Sequence, residues 1–382
     1  MNAEYIIRQA TIEDKSRLFD FIQQAWKERA PYQIPHRWHW LYIDNPYRIK
    51  ECLPVWMSCD GDRIVGHTAA MVVPLKIKNQ VYTTGWSVNT LVLLEYRGKK
   101  LGYHLQKANQ EAWPIFMSLS MTSANRRIKM KLGGAAGPKV SNFSFRFRYS
   151  GEKLSSALER RWGNYFSGLG VKRRPAYSLG NWIAKILNAK LRVEQHSSCF
   201  KPKSIAVEQD IMIQEIDRFD ETLDVELEQF MRPYSVAVLR TSRYLNWKFV
   251  DQPHMNYRLF LARSGGKVKG YIVLRSGRPP LENHYGVIAE IITNCEDITT
   301  FKHLLSFSIK HFHGEKVEQI IISTTVPKWQ ELLLQFGFQK TGGTVPVIHC
   351  SDKVLQEDIL GHGKSWLLSR GDHDWDQFPS RM

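Results

Sequence analysis

The sequence predicts an α/β chain of the mixed-sheet, α+β kind, built from two tandem copies of one domain. Three observations carry this expectation. Residues 40–46 read WLYIDNP and residues 247–253 read WKFVDQP. Trp, an aromatic, a β-branched residue, Asp, an amide residue and Pro thus recur in one order, 207 positions apart, as an internal repeat does. Each copy then runs into two alternating apolar segments around a glycine turn. These are residues 53–75 around Asp60-Gly61-Asp62 and residues 257–275 around Ser264-Gly265-Gly266, the pattern of a strand pair. Both copies continue as strand, helix, strand.

Taken in order, the first copy places a strand over residues 84–94. A helix over 101–113 follows, with apolar residues at helical spacing, then a buried strand over 115–121 behind Pro114. The second copy places a strand over 287–293, a helix over 299–312, a strand over 319–325 and a helix over 329–336 closed by Gly337. Three strands, a helix, a strand and a helix make a mixed sheet with helices on its faces. The expected domains are 1–149, a basic connector over 150–205 with an amphipathic helix at 179–191, a second domain over 206–350, and a tail over 351–382.

A chain of 382 residues, 43% hydrophobic, is long enough for two cores. No apolar run approaches the roughly 18 residues of a membrane span, and the N-terminus lacks the order of a signal peptide. Five cysteines at irregular spacing read as thiols of a reducing compartment rather than a disulfide framework, so the expected location is cytoplasmic. The net charge is +16, and residues 126–203 hold eighteen lysines and arginines against three glutamates. Such a segment attracts phosphates, nucleic acid, acidic glycans or an anionic membrane surface. A solvated basic face is the ordinary alternative.

The chemistry concentrates in LVLLEYRGKKLGYHL, residues 91–105. An apolar strand meets a basic, glycine-containing loop and then a helix, whose first N–H groups and dipole favour an anion. This loop resembles the coenzyme A pyrophosphate loop of the GNAT acyltransferases, with Arg97 and Gly102 at matching positions and Lys100 where a glycine is usual. The resemblance extends to GDRIVGHTAAM upstream, and downstream to residues 115–121, Asn125 and KLGG at 131–134. It implies acetyl-coenzyme A as acyl donor. Arg97, Gly98, Lys99, Lys100, Leu101, Gly102 and Tyr103 would hold the diphosphate, the strand at Leu91, Val92 and Leu93 would bond the pantetheine arm, and Asn125 would complete the site. The tyrosine that many members use as general acid falls near Lys129 and Met130, which leaves that step unassigned. For the base, three residues stand out: His67 on a strand, Glu95 at the mouth of the loop and Glu290 in an apolar run. Each has an ordinary alternative: a satisfied sheet histidine, a glutamate paired to Arg97 or Lys99, and a paired buried carboxylate.

The second copy resembles the same fold in outline, finishing in LLLQFGFQK. Where the loop should be it carries CEDITTFKHLL, without glycine or arginine. Carboxylates there repel a diphosphate, so this copy is expected to be degenerate and not to bind coenzyme A. The tail WLLSRGDHDWDQ resembles more loosely that of two-domain GNAT or FemAB-like proteins encoded with polysaccharide-biosynthesis genes. Neither Asp372, Asp374 and Asp376 nor His311 and His313 complete a metal pattern. Three functions follow from these readings. The first is an N-acetyltransferase acting on a small amine such as an amino sugar, with a diphosphate-linked acceptor suiting the basic segment. The second is a FemAB-like aminoacyltransferase using aminoacyl-tRNA. The third is a non-catalytic binding protein.

Overall fold

The computed structural model describes residues 5–49, 52–168, 174–198, 211–277, 285–372 and 374. The first half runs β1 (Ile6–Gln9), α1 (Lys15–Trp26), α2 (His36–Tyr42), β2 (Val55–Asp60), β3 (Arg63–Ile77) and β4 (Gln80–Val92). It continues through α3 (Leu101–Glu111), β5 (Ile115–Ser118), α4 (Ser123–Lys131), β6 (Ala135–Ala136) and β7 (Val140–Arg146). Two long helices, α5 (Gly151–Gly168) and α6 (Arg174–Ser198), lead to the second half. That half runs β8 (Met212–Ile216), α7 (Asp224–Met231), β9 (Val236–Val238), α8 (Ser242–Leu245), β10 (Arg258–Ser264), β11 (Lys267–Ser276) and β12 (Tyr285–Thr293). Then come α9 (Ile298–Gly314), β13 (Gln319–Thr324), α10 (Pro327–Gln335), β14 (Gln339–Thr344), β15 (Val347–Cys350), α11 (Lys353–Gly361) and β16 (Trp366–Leu367).

Two mixed sheets of one design result. The first has the order β1-β2-β3-β4-β5-β15-β6, and the second β8-β10-β11-β12-β13-β7-β14. In each, antiparallel neighbours lead to one parallel pair, β4 with β5 and β12 with β13. The symmetry reaches single residues. A Cβ on Gly85 would lie 2.5 Å from the Trp113 ring, and one on Gly286 2.5 Å from the Phe312 ring. Both glycines therefore let the aromatic at the end of the following helix rest directly on the strand.

The sheets exchange a strand. β7, from the first half, lies between β13 and β14 of the second sheet. β15, from the second half, lies between β5 and β6 of the first. β9 also pairs with the far end of β3, and β16 with β9. Sheet membership therefore does not follow the cuts expected at 149 and 350. An alternating strand reads the same whichever sheet it joins, so this exchange leaves no mark in the pattern. The connector is two paired helices rather than one helix among breaks. Its residues 169–173 and 199–205 lie outside the described residues, as does the end of the tail beyond Asp374.

The repeated motif sits where the halves meet. Trp40 and Trp247 stack with ring centroids 4.7 Å apart and planes 16° from parallel. Trp40 Nε1 donates to the Trp247 carbonyl (2.8 Å), and Trp247 Nε1 to the Trp40 carbonyl (3.0 Å). Both rings are buried, so this reciprocal bonding satisfies both indole donors as burial requires. The motif amides close the turns that follow: Asn45 Oδ1 accepts from Tyr47 N–H (2.9 Å) and Gln252 Oε1 from His254 and Met255 N–H (2.9 and 2.8 Å).

Replacing either tryptophan by alanine removes the stack and orphans a buried carbonyl. Chemical denaturation should show a loss of about 3–5 kcal/mol for Trp40→Ala or Trp247→Ala. The double variant should cost less than the sum of the two, because both remove one contact. Simple additivity would mean that the stack does not couple the halves.

Candidate active site

The first sheet opens at its centre. β4 and β5 pair only at Gly85–Phe116 and Trp86–Met117. Beyond Trp86 β4 continues six residues to Val92, and its edge on that side has left β5. A bulge turns it further. Ala69 of β3 faces Val88, while His67 faces Leu91, so Asn89 and Thr90 oppose Thr68 alone, and Asn89 takes a left-handed φ of 51°.

A buried polar network fixes the bulge. Thr68 and Thr90 hydroxyls lie 2.8 Å apart. From α3, Gln106 Nε2 donates to Thr90 Oγ1 (2.5 Å), and Asn109 Nδ2 donates to the Ala69 carbonyl (3.0 Å). From α4, Lys129 Nζ donates to Ser87 Oγ (3.0 Å) and to Gln106 Oε1. Lys129 also lies over the Phe116 ring, 4.7 Å from its centroid. It is only 2% exposed, and burial lowers its pKa to about 7. Among the described residues it has no carboxylate partner within ion-pair distance. A buried lysine without a counter-charge is costly, which marks this one for function.

Above the bulge lies a cavity of about 990 Å³. Thr90, Leu91 and Val92 of β4 form one wall, and Thr122, Ala124, Asn125, Ile128 and Lys131 of α4 and its cap the other. Tyr96, Arg97, Gly98, Lys100, Leu101, Gly102 and Tyr103 close its end. The lining carries three cations, Arg97, Lys100 and Lys131, and no acid. Gly98 turns at φ 86°, and Lys100 caps α3 in the left-handed conformation (φ 60°) without a side-chain hydrogen bond to the helix. Lys100 thus adopts the backbone that a glycine would supply. A Cβ on Gly98 or Gly102 would meet nothing within 4 Å. The loop is an open, basic approach to a helix N-terminus, a fitting cradle for a diphosphate, and the apolar walls suit a slender arm.

Of the residues named from the sequence, Leu91, Val92, Arg97, Gly98, Lys100, Leu101, Gly102, Tyr103 and Asn125 line this cavity. Leu93 and Lys99 do not. Leu93 is buried in the core and its N–H donates to the Val65 carbonyl (2.9 Å). Lys99 Nζ turns to the Tyr5 hydroxyl (2.7 Å) and the Tyr96 ring. Glu95 is exposed and bonded by Arg63 (3.0 Å). His67 is buried edge-on against Phe21 of α1, with Nε2 unbonded, and burial lowers its pKa to about 4. Thr68 next to it bonds α3, so His67 points to the opposite face of the sheet. On that face Tyr42 Oη accepts from Asn89 Nδ2 (3.3 Å). Arg37 and Asp374, joined at 2.8 Å, bring the tail beside it.

The second unit shows the same opening, filled. β12 and β13 pair from Tyr285–Gln319 to Ile288–Ile322 and then part. The tail enters the gap: Ser369 bridges Thr324, and Thr325 N–H donates to the Leu368 carbonyl (3.1 Å). Glu290 lies here, and it is no free base. Arg240 Nη2 donates to it (2.7 Å) and to Asp372 (2.6 Å), while Tyr271 Oη and Ser369 Oγ donate to its oxygens (2.8 and 2.9 Å). Burial and the neighbouring Glu290 push the Asp372 carboxyl up against the pull of Arg240. At the head of α9, Asp297 accepts from Thr300 N–H (2.9 Å) and Glu296 is held by Lys328 (2.7 Å). The positive end of that helix is thus already capped by a carboxylate.

No family model and no curated protein sequence matches the chain. Solved structures match its fold. One is a conserved protein of unknown function from Enterococcus faecalis, described as a probable N-acyltransferase, with TM-score 0.58 and 12% identity over 91% of this chain and 73% of that one. A GCN5-related N-acetyltransferase from Anabaena variabilis aligns with TM-score 0.57 and 11% identity over 92% and 74%. Saccharomyces cerevisiae N-myristoyltransferase with bound myristoylCoA aligns with TM-score 0.51 and 8% identity over 96% and 90%. The fold is therefore that of GCN5-related N-acetyltransferases, in tandem.

Sequence reasoning passed over Ser87, Thr90, Gln106 and Asn109, because a polar residue on a strand or helix gives no sign that it will be buried. Lys129 carried one signal, its place four residues after Asn125 on the same helical face.

Two measurements check this geometry. His67 is neutral and buried in the fold but titrates near 6.5 when unfolded, so the unfolded state binds the extra proton between about pH 6.5 and 4 and stability falls as pH falls through that window. Between pH 7 and 5 wild type should lose about 2 kcal/mol more than His67→Gln; equal losses would place His67 in contact with water. Arg240→Met leaves Glu290 and Asp372 facing each other. Denaturant midpoints should report a loss of about 3–5 kcal/mol, and a neutral result would deny the plug its ion cluster.

Proposed function

We propose that the first unit is a coenzyme A-dependent acyltransferase, with acetyl-coenzyme A as the first donor to test and an amine as acceptor. One observation carries the reading: two copies of one fold, of which, among the described residues, only the first keeps its central opening clear, with Arg97, Lys100, Lys131 and an uncapped helix terminus at the mouth. The loop and the head of α3 receive the diphosphate. The edge of β4 that β5 has left runs beside the arm and offers backbone N–H groups to a thioester carbonyl, where they are worth most as negative charge grows. A neutral amine reaches the carbonyl from the Tyr42–Asn89 face. The C–N bond forms as the C–S bond breaks, and the electron pair leaves on sulfur. The attacking nitrogen loses a proton to solvent as the amide forms, and sulfur takes one from Lys129, which is reprotonated in turn. A pKa near 7 suits this exchange at neutral pH. An amino sugar is the first acceptor class to screen. The second unit, with its opening plugged and its helix capped by Asp297, serves as scaffold.

Calorimetry tests the reading. Wild type should bind acetyl-coenzyme A, and Arg97→Glu with Gly102→Asp should abolish binding by adding charge and bulk at the mouth. Absence of wild-type binding would overturn the proposal and direct attention to tRNA.

Lys129 supplies an independent check. Lys129→Met removes an uncompensated buried cation, so it should raise stability at pH 7, by roughly 2 kcal/mol once the loss of partners for Ser87 and Gln106 is allowed for. Turnover should fall at least about a hundredfold, with donor binding kept. A variant less stable yet fully active would show the lysine to be structural.

A further inference from the structure

The connector is rich in basic residues. α5 is tied to the second sheet, where Lys153 donates to Glu318 (2.9 Å) and lies over the Tyr285 ring. α6 is tied to α5. Any side chain on Gly180 would overlap Ser155, Ala184 is buried, and Asn188 accepts from Tyr149 N–H (2.6 Å) while donating to its carbonyl (3.0 Å). With one face so fixed, helical geometry sets the other. That outer face presents Leu179, Trp182 and Ile186, which are 42%, 61% and 47% exposed. They lie three and four positions apart, in a single stripe, with Lys185 and Lys190 exposed beside them.

We infer that this face of α6 docks on an anionic membrane surface: Leu179, Trp182 and Ile186 enter the interfacial layer, and Lys185 meets lipid phosphates. Apolar and cationic groups on one exposed helix face are the chemistry of interfacial helices, and indole rings favour the headgroup level. Charge complementarity selects the partner, since the sequence of α6 carries Arg174, Lys185, Lys190 and Arg192 against Glu194 alone. A second copy would bring the same positive face against itself. RNA would engage the lysines and stack on Trp182, but it gains nothing from Leu179 and Ile186. No helix among the described residues is long and apolar enough to cross a membrane, so the contact lies at the surface. The inference is independent of the acyltransferase reading.

The full chain would be sedimented with vesicles of phosphatidylcholine alone or mixed with phosphatidylglycerol, at low and high salt. It should bind the mixed vesicles only, and salt should release it. Trp182→Ser with Ile186→Ser should weaken binding at least about tenfold, and Lys185→Glu about tenfold as well. Circular dichroism should show both variants folded. Binding to mixed vesicles that the serine variant leaves unchanged would overturn the inference. So would wild-type dimers that the serine substitutions dissociate, or RNA binding without vesicle binding.

Discussion

The face-to-face contact of Trp40 and Trp247 is the constraint on which the architecture rests. Each ring satisfies its buried donor on the other's backbone, so neither half completes this region alone. The strand exchange has the same consequence at larger scale. β7 and β15 each occupy the interior of the other half's sheet, and an interior strand contributes ladder bonds along both edges. Two units bound in this way are expected to unfold together, and the site in one is held by chain from the other.

Within that frame the two openings diverge in what fills them. Parting a parallel strand pair exposes backbone groups that need partners. In the second unit the tail provides them, with Arg240 neutralising Glu290 and Asp372 in the same gap. In the first unit the groups border a cavity, and the adjacent polar side chains form a network around the bulge instead. The copies therefore differ in how the opening is filled, with the design of the sheets unchanged. Lys129 fits the same logic, since a cation held without a counter-charge lowers stability, as active sites commonly do.

Much of the fold was legible because its signals are local. The Trp-Asp-amide-Pro motif, the glycine turns and the loop between β4 and α3 each act within a few residues, and that loop lines the cavity of the first unit. The rest depends on distant partners. Nothing in the alternation of residues 140–146 or 347–350 tells which sheet they enter. For Glu290 the sequence left both a base and a paired buried carboxylate open, because Arg240 and Ser369, which engage it, lie far along the chain. Lys99 and Leu93 belong to the segment that lines the cavity, but Lys99 turns to Tyr5 and Leu93 to the core.

Hydrogen exchange with and without acetyl-coenzyme A tests the central claim most directly: that one fold occurs twice, with one opening clear and the other plugged. The account predicts that the donor slows exchange at residues 90–92, 97–103 and 122–131 and leaves residues 290–300 unchanged. Protection at the head of α9, or none at the head of α3, would contradict it.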